Sequence, residues 1–281
     1  MIDPTIPAIS VCIPTFNGER TIAETLQSVL SQTFSDFEIV ICDDSSTDGT
    51  LSILSEINDD RIKIHRFEKA SAASENWNRA MRLCQSEFVK IMGQDDVLYP
   101  NCLEIELRAL SKHAAQLPTF VYSRRDIVLH NGFRLKRSNL LGRKGSMVPS
   151  TPKLIRRVIR SGRNPIGEPV AITMRRSAYE KTRGFHGSYV IDLDMWFQLL
   201  EFGPAVKVEE VLSAFRVSRK SWSFQLRKTQ AAETISLLQT ASQKYCDRNS
   251  SLHLRVGTLM AYAMQFARMI VLSSIGSSRR S

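Results

Sequence analysis

The chain has 281 residues, 43% of them hydrophobic and 23% charged, with a formal net charge of +10. That length carries one large domain or a domain with an extension, and that balance excludes a disordered or fibrous polypeptide. The charge is local: between Arg124 and Arg163 twelve Lys/Arg face the single acid Asp126, so this segment holds +11 and everything else sums to −1.

AISVCIP (8–14) has the β-branched density of a strand, and TIAETLQSVLSQ (21–32) sets Ile22, Leu26, Val29 and Leu30 at helical spacing. FEIVICDD (37–44) reads as a second strand, SSTDGTLSILSEI (45–57) as a helix that starts on cap residues, and RIKIHRF (61–67) as a third strand. A helix over 74–85, a strand over 87–93, a helix over 100–113 and a strand over 119–124 follow. Strand–helix alternation of this kind argues for a mostly parallel sheet covered on both faces. From 125 to about 165 the pattern breaks, and only 153–162 keeps helical periodicity. Beyond it we expect a strand over 169–176, a helix over 192–203, an extended stretch over 206–218, and two helices within 222–275 joined near Asn249–Ser250.

Five cysteines without ligand-like spacing fit reduced thiols in a cytosolic protein. The first ten residues lack the basic flank and apolar run of a signal peptide. Residues 256–275 are apolar, but Gln265 and Arg268 interrupt them, so a packed or interfacial helix is expected in preference to a membrane span.

In an open parallel sheet, ligands bind beyond the carboxyl ends of the strands. Pro14–Asn17 follows the first strand, Asp43–Asp44 ends the second, and Gln94–Asp95–Asp96 follows the fourth. Taken singly, these are a turn, a helix cap and a solvated loop; together they fall on one edge. No GxGxxG or GxxxxGK[ST] loop follows the first strand, so phosphates are not cradled by glycine-loop amides. Carboxylates in that place imply a bridging cation, Mg²⁺ or Mn²⁺, between the aspartates and a diphosphate, which would also compensate the repulsion between Asp95 and Asp96.

The stretches SVCIPTFNGERTIAETLQSVLSQTFSDFEIVICDDSSTDGT (10–50), NWNRAM (76–81), EFVKIMGQDD (87–96), NPIGEPVAITMRR (164–176), RGF (183–185) and DLDMW (192–196) resemble the family 2 glycosyltransferases. The resemblance covers about residues 8–218. It implies an α/β fold of the GT-A type with a Rossmann-like nucleotide-sugar half at about 1–125, an acceptor half at about 126–218, and a C-terminal helical extension over 219–281.

By the same resemblance, Thr15 and Asp44 hold the nucleoside base, with Pro14, Phe16, Glu19, Asp43 and Asn76 in the nucleotide-sugar site. Asp95 contacts ribose or diphosphate, and Asp96 is the metal ligand of a DxD-type motif, with Asp95 as a second candidate ligand. Asp192 is the general base, Asp194 its competitor, and Arg216 and Lys220 are basic diphosphate contacts. Two departures stand out: Gln94 replaces the first acid of a triple-Asp pattern, and Ile191–Asp192 replaces a Glu–Asp pair.

The expected function is an inverting, metal-assisted transfer of a sugar from a UDP- or dTDP-linked donor to a hydroxyl of a glycan or lipid-linked acceptor, in cell-surface polysaccharide biosynthesis. A non-catalytic nucleotide-sugar or polysaccharide binder and a nucleotidyltransferase on a related scaffold are the alternatives. The basic segment 124–163 reads as a solvated surface, a receiver of an anionic acceptor, or a contact with an anionic membrane; the C-terminal helix is the other candidate for that membrane contact. With no aromatic platform among the arginines, nucleic acid is not expected. The expected location is cytoplasmic, peripheral on the cytoplasmic face of the membrane.

Overall fold

ISVCIPT at Ile9–Thr15 (β1) and FEIVICD at Phe37–Asp43 (β2) are buried along almost their whole length, as continuous apolar strands covered on both faces must be. The computed structural model describes residues 6–129, 132–137, 147–148, 152–217, 226, 229–245 and 251–274. Around β1 and β2 stand helix α1 (Ile22–Leu30), the short helix α2 (Thr50–Ser55), strand β3 (Ile62–Arg66), helix α3 (Ala73–Leu83) and strand β4 (Phe88–Ile91). The chain continues through β5 (Val97–Leu98), α4 (Cys102–Lys112), β6 (Phe120–Leu129), β7 (Arg134–Arg137), β8 (Met147–Val148) and α5 (Pro152–Ser161). It then runs through β9 (Ile172–Arg175), α6 (Arg176–Tyr179), α7 (Ile191–Leu200), β10 (Ala205–Val217), α8 (Gln230–Tyr245) and α9 (Ser251–Ser274).

The strands form one sheet in the order β3-β2-β1-β4-β9-β6-β10-β5, with β7 on β6 and β8 on β10. From β3 to β4 all pairings are parallel, whereas β9 is antiparallel to both β4 and β6, and β6 is parallel to β10. The inserted β9 decides the geometry. Because it runs against β4, its beginning, not its end, lies at the carboxyl edge of β1, β2 and β4. The loop over 164–171 is thereby delivered to that edge. β10 ends there as well, and β5 pairs with it at Ser213↔Leu98 and Ala214↔Val97, which seats Asp95–Asp96 beside Arg216.

The predicted elements of the first 125 residues are present, with α2 starting at Thr50 instead of 45, because the polar stretch before it forms a turn that includes Ser45 at φ 67°. The expected strand over 169–176 is divided: a 3-10 turn at Pro169–Ala171, then β9, then α6. Two-residue strands such as β5 and β8 carry no readable period and were not expected. The helices α8 and α9 pack on α5, and Leu238 and Ala241 of α8 share a buried cluster with Phe120, Val158 and Trp196. α5 and α9 cross closely at two glycines: a Cβ on Gly257 would lie 1.9 Å from the Ile159 carbonyl oxygen. The thiols Cys12, Cys42, Cys84 and Cys102 are free and buried; Cys246 lies outside the described residues. No described helix is long and apolar enough to cross a membrane.

A fully buried ion pair joins the sheet to α4. Lys90 on β4 meets Glu106 on α4 at 2.8 Å with both side chains 0% exposed, and Glu106 also accepts the hydroxyls of Ser123 and Thr173. Removing one partner leaves an uncompensated buried charge. Lys90→Met is therefore expected to destabilise the chain by about 3–5 kcal/mol, and Lys90→Met/Glu106→Gln to recover much of that loss. Urea unfolding of the two variants against the parent chain measures both.

Candidate active site

β1 and β2 end in register, Thr15 beside Asp43, and the Asp44 N–H donates to the Thr15 carbonyl at 2.8 Å. β4 pairs with β1 up to Cys12↔Ile91, so the turn Gly93–Asp96 passes in front of Thr15 and Phe16. Gln94 fastens the two loops. Its Oε1 accepts the Phe16 N–H at 2.9 Å, and its Nε2 donates to the Phe16 carbonyl at 2.8 Å. A carboxylate could accept from Phe16 but not donate to it, which gives a physical reason for Gln in place of the first acid. The fit is tight: a Cβ on Gly18 would stand 2.5 Å from Gln94 Oε1. From α1, the Thr25 hydroxyl reaches the carbonyls of Gln94 and Asp96 at 2.8 and 2.9 Å.

Asp95 and Asp96 converge. A Cβ on Gly93 would fall 2.9 Å from Asp95 Oδ1 and 3.1 Å from Asp96 Oδ2, so the absence of a side chain there leaves a small space faced by two carboxylate oxygens. Burial pushes the Asp95 carboxyl up to about 6 and holds Asp96 well above the usual carboxylate range, with the neighbouring Asp95 and Glu168 charges adding to the effect on Asp96. Both are held in place from β10, where the Arg216 N–H donates to Asp96 Oδ1 at 3.0 Å and Arg216 Nε to the Asp95 carbonyl at 2.8 Å. The Arg216 guanidinium also pairs with Glu24 at 2.7 Å. It is thus a clamp on the aspartate turn as well as a cation beside it. Among the described residues no group of three or more His, Cys, Asp or Glu is placed to hold a metal ion. The Asp95–Asp96 pair can offer two oxygens, the number expected where a phosphate ligand supplies others.

The remaining predicted nucleotide residues sit on the same edge. Phe16 is 50% exposed, Pro14 is half-buried, and the exposed Glu19 accepts the Gly49 N–H at 3.0 Å. Thr15 is buried and donates to the Ile13 carbonyl. Asp44 receives three hydrogen bonds, from the Ser71 N–H and hydroxyl and from Arg79, and is buried. Asp43 accepts the Ser46 N–H on Oδ2, while its buried Oδ1 has no hydrogen-bond partner; Asn76 likewise donates to the Cys42 carbonyl but has a buried, unpartnered Oδ1. Lys220 lies outside the described residues.

α7 separates the two candidate bases. Two residues apart on a helix, Asp192 and Asp194 point in nearly opposite directions. Asp192 Oδ2 accepts from Asn164 Nδ2 at 2.8 Å, and its Oδ1 accepts the Leu193 N–H at 2.7 Å. Asp194 instead meets His186 at 3.0 Å, Gln198 at 2.8 Å and Arg183 at 3.8 Å. The Asp192 carboxyl is pushed up to about 7, first by burial and then by the charge of Glu168. Glu168 therefore acts electrostatically on both Asp192 and Asp96, which places one carboxylate between the aspartate turn and α7.

The sequence alone singled out neither Asn164 nor Glu168, and Arg125 only as one cation of the basic segment. Asn164 Nδ2 also donates to the Gly167 carbonyl, its Oδ1 accepts the N–H groups of Ile166 and Gly167, and Trp196 Nε1 donates to the Gly167 carbonyl at 2.9 Å. Gly167 has φ 145°, and a Cβ there would stand 3.2 Å from the Arg125 guanidinium, so glycine is required. Arg125, in turn, pairs with Glu168. The Asn-Pro and Gly in NPIGEP are a turn signal that the sequence reading did not use, and only the reversal of β9 shows that this turn faces the aspartates.

Residues 10–183 match the family model described as Glycosyl transferase family 2. The chain belongs to that family and is a glycosyltransferase of the GT-A fold. It is 32% identical over 123 residues, 44% of this chain and 47% of the relative, to the Escherichia coli UDP-Glc:alpha-D-GlcNAc-diphosphoundecaprenol beta-1,3-glucosyltransferase WfgD. Among solved structures, S. aureus TarS 1–349 in complex with UDP-GlcNAc superposes with a TM-score of 0.67 at 19% identity, over 90% of this chain and 71% of that 1–349 chain. Mannosyltransferase PcManGT from Pyrobaculum calidifontis, in complex with GDP-Man and Mn²⁺, gives 0.64 at 19% identity, over 99% and 78%.

A carboxyl whose folded value is raised binds its proton more tightly in the native state than in the unfolded one, where Asp sits near 4. Asp192 therefore withdraws stability as pH rises from about 4 through about 7. Asp192→Asn is expected to raise the Tm of the ligand-free chain at pH 8 and to leave it nearly unchanged at pH 4, a difference read by calorimetry at the two pH values.

Proposed function

We propose that this glycosyltransferase moves a sugar from a UDP- or dTDP-linked donor to a hydroxyl of a glycan or lipid-linked saccharide, with inversion at the anomeric carbon. The observation that carries the reading is the placement of Asp192, raised to about 7, on the same sheet edge as the convergent Asp95–Asp96 pair. The uridine preference and the lipid-linked acceptor draw support from WfgD, named for UDP-Glc and a diphosphoundecaprenol acceptor, and from the UDP-GlcNAc complex of TarS. The unpartnered Asp43 Oδ1 is a buried acceptor of the kind that an imide N–H would satisfy.

In this reading Asp192 takes the proton of the acceptor hydroxyl as that oxygen attacks the anomeric carbon. The bond from that carbon to the β-phosphate oxygen breaks, and the nucleoside diphosphate leaves on the opposite face. A single carboxylate acting as base, with no second carboxylate nucleophile, gives inversion. Asn164 holds Asp192 in the orientation to receive the proton, and Glu168 keeps its basicity near neutrality. Asp96, with Asp95, would hold Mg²⁺ or Mn²⁺, which when bound neutralises charge on the departing diphosphate. Arg216 keeps those two carboxylates together, and Gln94 fixes the distance between their turn and the loop at Phe16. The cofactor reading agrees with the Mn²⁺ in the PcManGT complex.

The purified chain is expected to hydrolyse a UDP-sugar slowly without acceptor and to stop when EDTA removes the divalent ion; a panel of nucleotide sugars that gives neither release of nucleotide nor metal-dependent thermal stabilisation refutes the proposal. Asp192→Asn should lower acceptor-dependent transfer by about 10²- to 10⁴-fold while UDP binding persists, whereas Asp194→Asn stays close to the parent rate. The pH profile offers a separate test of the two positioning residues. Transfer rises as Asp192 loses its proton through about pH 7; Glu168→Gln should move that rise to lower pH, and Asn164→Ala should move it higher and cut kcat by roughly 10- to 100-fold.

A further inference from the structure

Helix α9 has two dissimilar sides. One is closed against α5 and α8: Gly257 and Ala261 are buried at the crossing, and Gln265 accepts the Ala231 N–H of α8 at 2.8 Å. On the other, Leu252, Val256, Leu259, Tyr262, Phe266 and Met269 recur at every third or fourth position, which places them along one stripe. Leu252 is 68%, Leu259 71% and Phe266 62% exposed. From Leu252 to Met269 the stripe runs about 25 Å at 1.5 Å per residue. An apolar stripe of that length on a surface marks a contact with something.

The charge around the stripe selects the occupant. Residues 152–163 and 251–274 together contain seven Lys/Arg and no Asp or Glu. Arg157, Arg160 and Arg163 are exposed on and just after α5, and Arg255 is exposed on α9 itself. The two features are contiguous: Met260, 40% exposed, lies against Gly162, and the next residue is Arg163. A second copy of this chain seated on the stripe would bring like charge against like charge. An acidic surface with an apolar interior satisfies both features, and an anionic bilayer is such a surface. The span is excluded by length and apolarity, since no described helix qualifies; a helix lying in the interface remains.

We propose that the exposed stripe of α9 and the arginines of α5 form one surface that seats the chain on an anionic phospholipid bilayer, α9 lying in the plane of the headgroups with its apolar stripe inserted. Three other cations of the +11 segment are engaged elsewhere: Arg125 is buried against Glu168, and Arg134 and Arg137 pair with Asp126. The membrane surface adjoins the acceptor side of the site, because exposed Arg163 is followed directly by Asn164, the hydrogen-bond partner of Asp192. Lipid binding itself is independent of the donor chemistry proposed above.

Flotation of the full chain with vesicles tests the surface directly. It is expected to float with vesicles of equal parts phosphatidylglycerol and phosphatidylcholine and to remain below with pure phosphatidylcholine. Raising salt from about 0.1 M to about 1 M, which shortens the screening length from about 10 Å to about 3 Å, should release most of it without any substitution. Arg157→Gln/Arg160→Gln/Arg163→Gln and, separately, Leu259→Ser/Phe266→Ser should each weaken association by roughly 10- to 100-fold. The apolar pair should leave donor hydrolysis without vesicles unchanged. No flotation with the anionic vesicles overturns the proposal, as does flotation that neither salt nor either variant set reduces. A dimer in sedimentation velocity that Leu259→Ser/Phe266→Ser dissolves, in a chain that does not float, assigns the stripe to a second copy instead.

Discussion

Carboxylates gathered at one sheet edge with too little countercharge are the constraint around which this molecule is arranged. Asp95, Asp96, Glu168 and Asp192 lie close enough that the charge of one raises another, and burial raises three of them further. Such a cluster costs stability in the free chain, and the surrounding structure exists to hold it together. Arg216 reaches in from β10, Arg125 offsets Glu168, Gln94 ties the aspartate turn to the loop after β1, and Asn164 fixes Asp192. None of these groups neutralises the cluster. The divalent cation of the proposed function would supply positive charge at this edge, and binding it would link ligand and fold thermodynamically.

The mixed sheet follows from the same constraint. A wholly parallel sheet brings strand ends to its active edge, and each strand end supplies one loop. By turning β9 around, the chain brings a strand beginning to that edge and adds the 164–171 loop to the loops after β1, β2 and β4. That loop carries Asn164, the hydrogen-bond partner of Asp192, and Glu168, whose charge raises it. Behind the edge, the buried Lys90–Glu106 pair joins β4 to α4, and the Gly162–Gly257 crossing brings α5 and α9 together.

The +10 charge is divided by the fold in a way composition does not show. Part of it pairs with Glu168 and Asp126, and part faces out beside the apolar stripe of α9. Cations of one sequence segment thus serve two purposes. Their neighbours in space, not in sequence, distinguish them.

Much of this protein was legible before folding. Continuous β-branched runs and 3.6-residue periodicity located β1 to β4, α1, α3 and α4, since burial on two faces or one dictates those patterns. Asp43–Asp44 and Asp95–Asp96 could be put on one edge because parallel strands have only one carboxyl edge. Tertiary structure alone decided the rest. β5, β8 and α6 are too short to carry a period; the direction of β9 depends on pairing partners far away in the chain. Gln94 looked like a weakened motif until its amide was seen bonding both backbone groups of Phe16, and Asn164 and Glu168 were anonymous until β9 turned them toward Asp192. Periodicity records which face of an element is buried, whereas a site is made of residues whose nearness is set by the packing of elements against one another, and that information is written only in three dimensions.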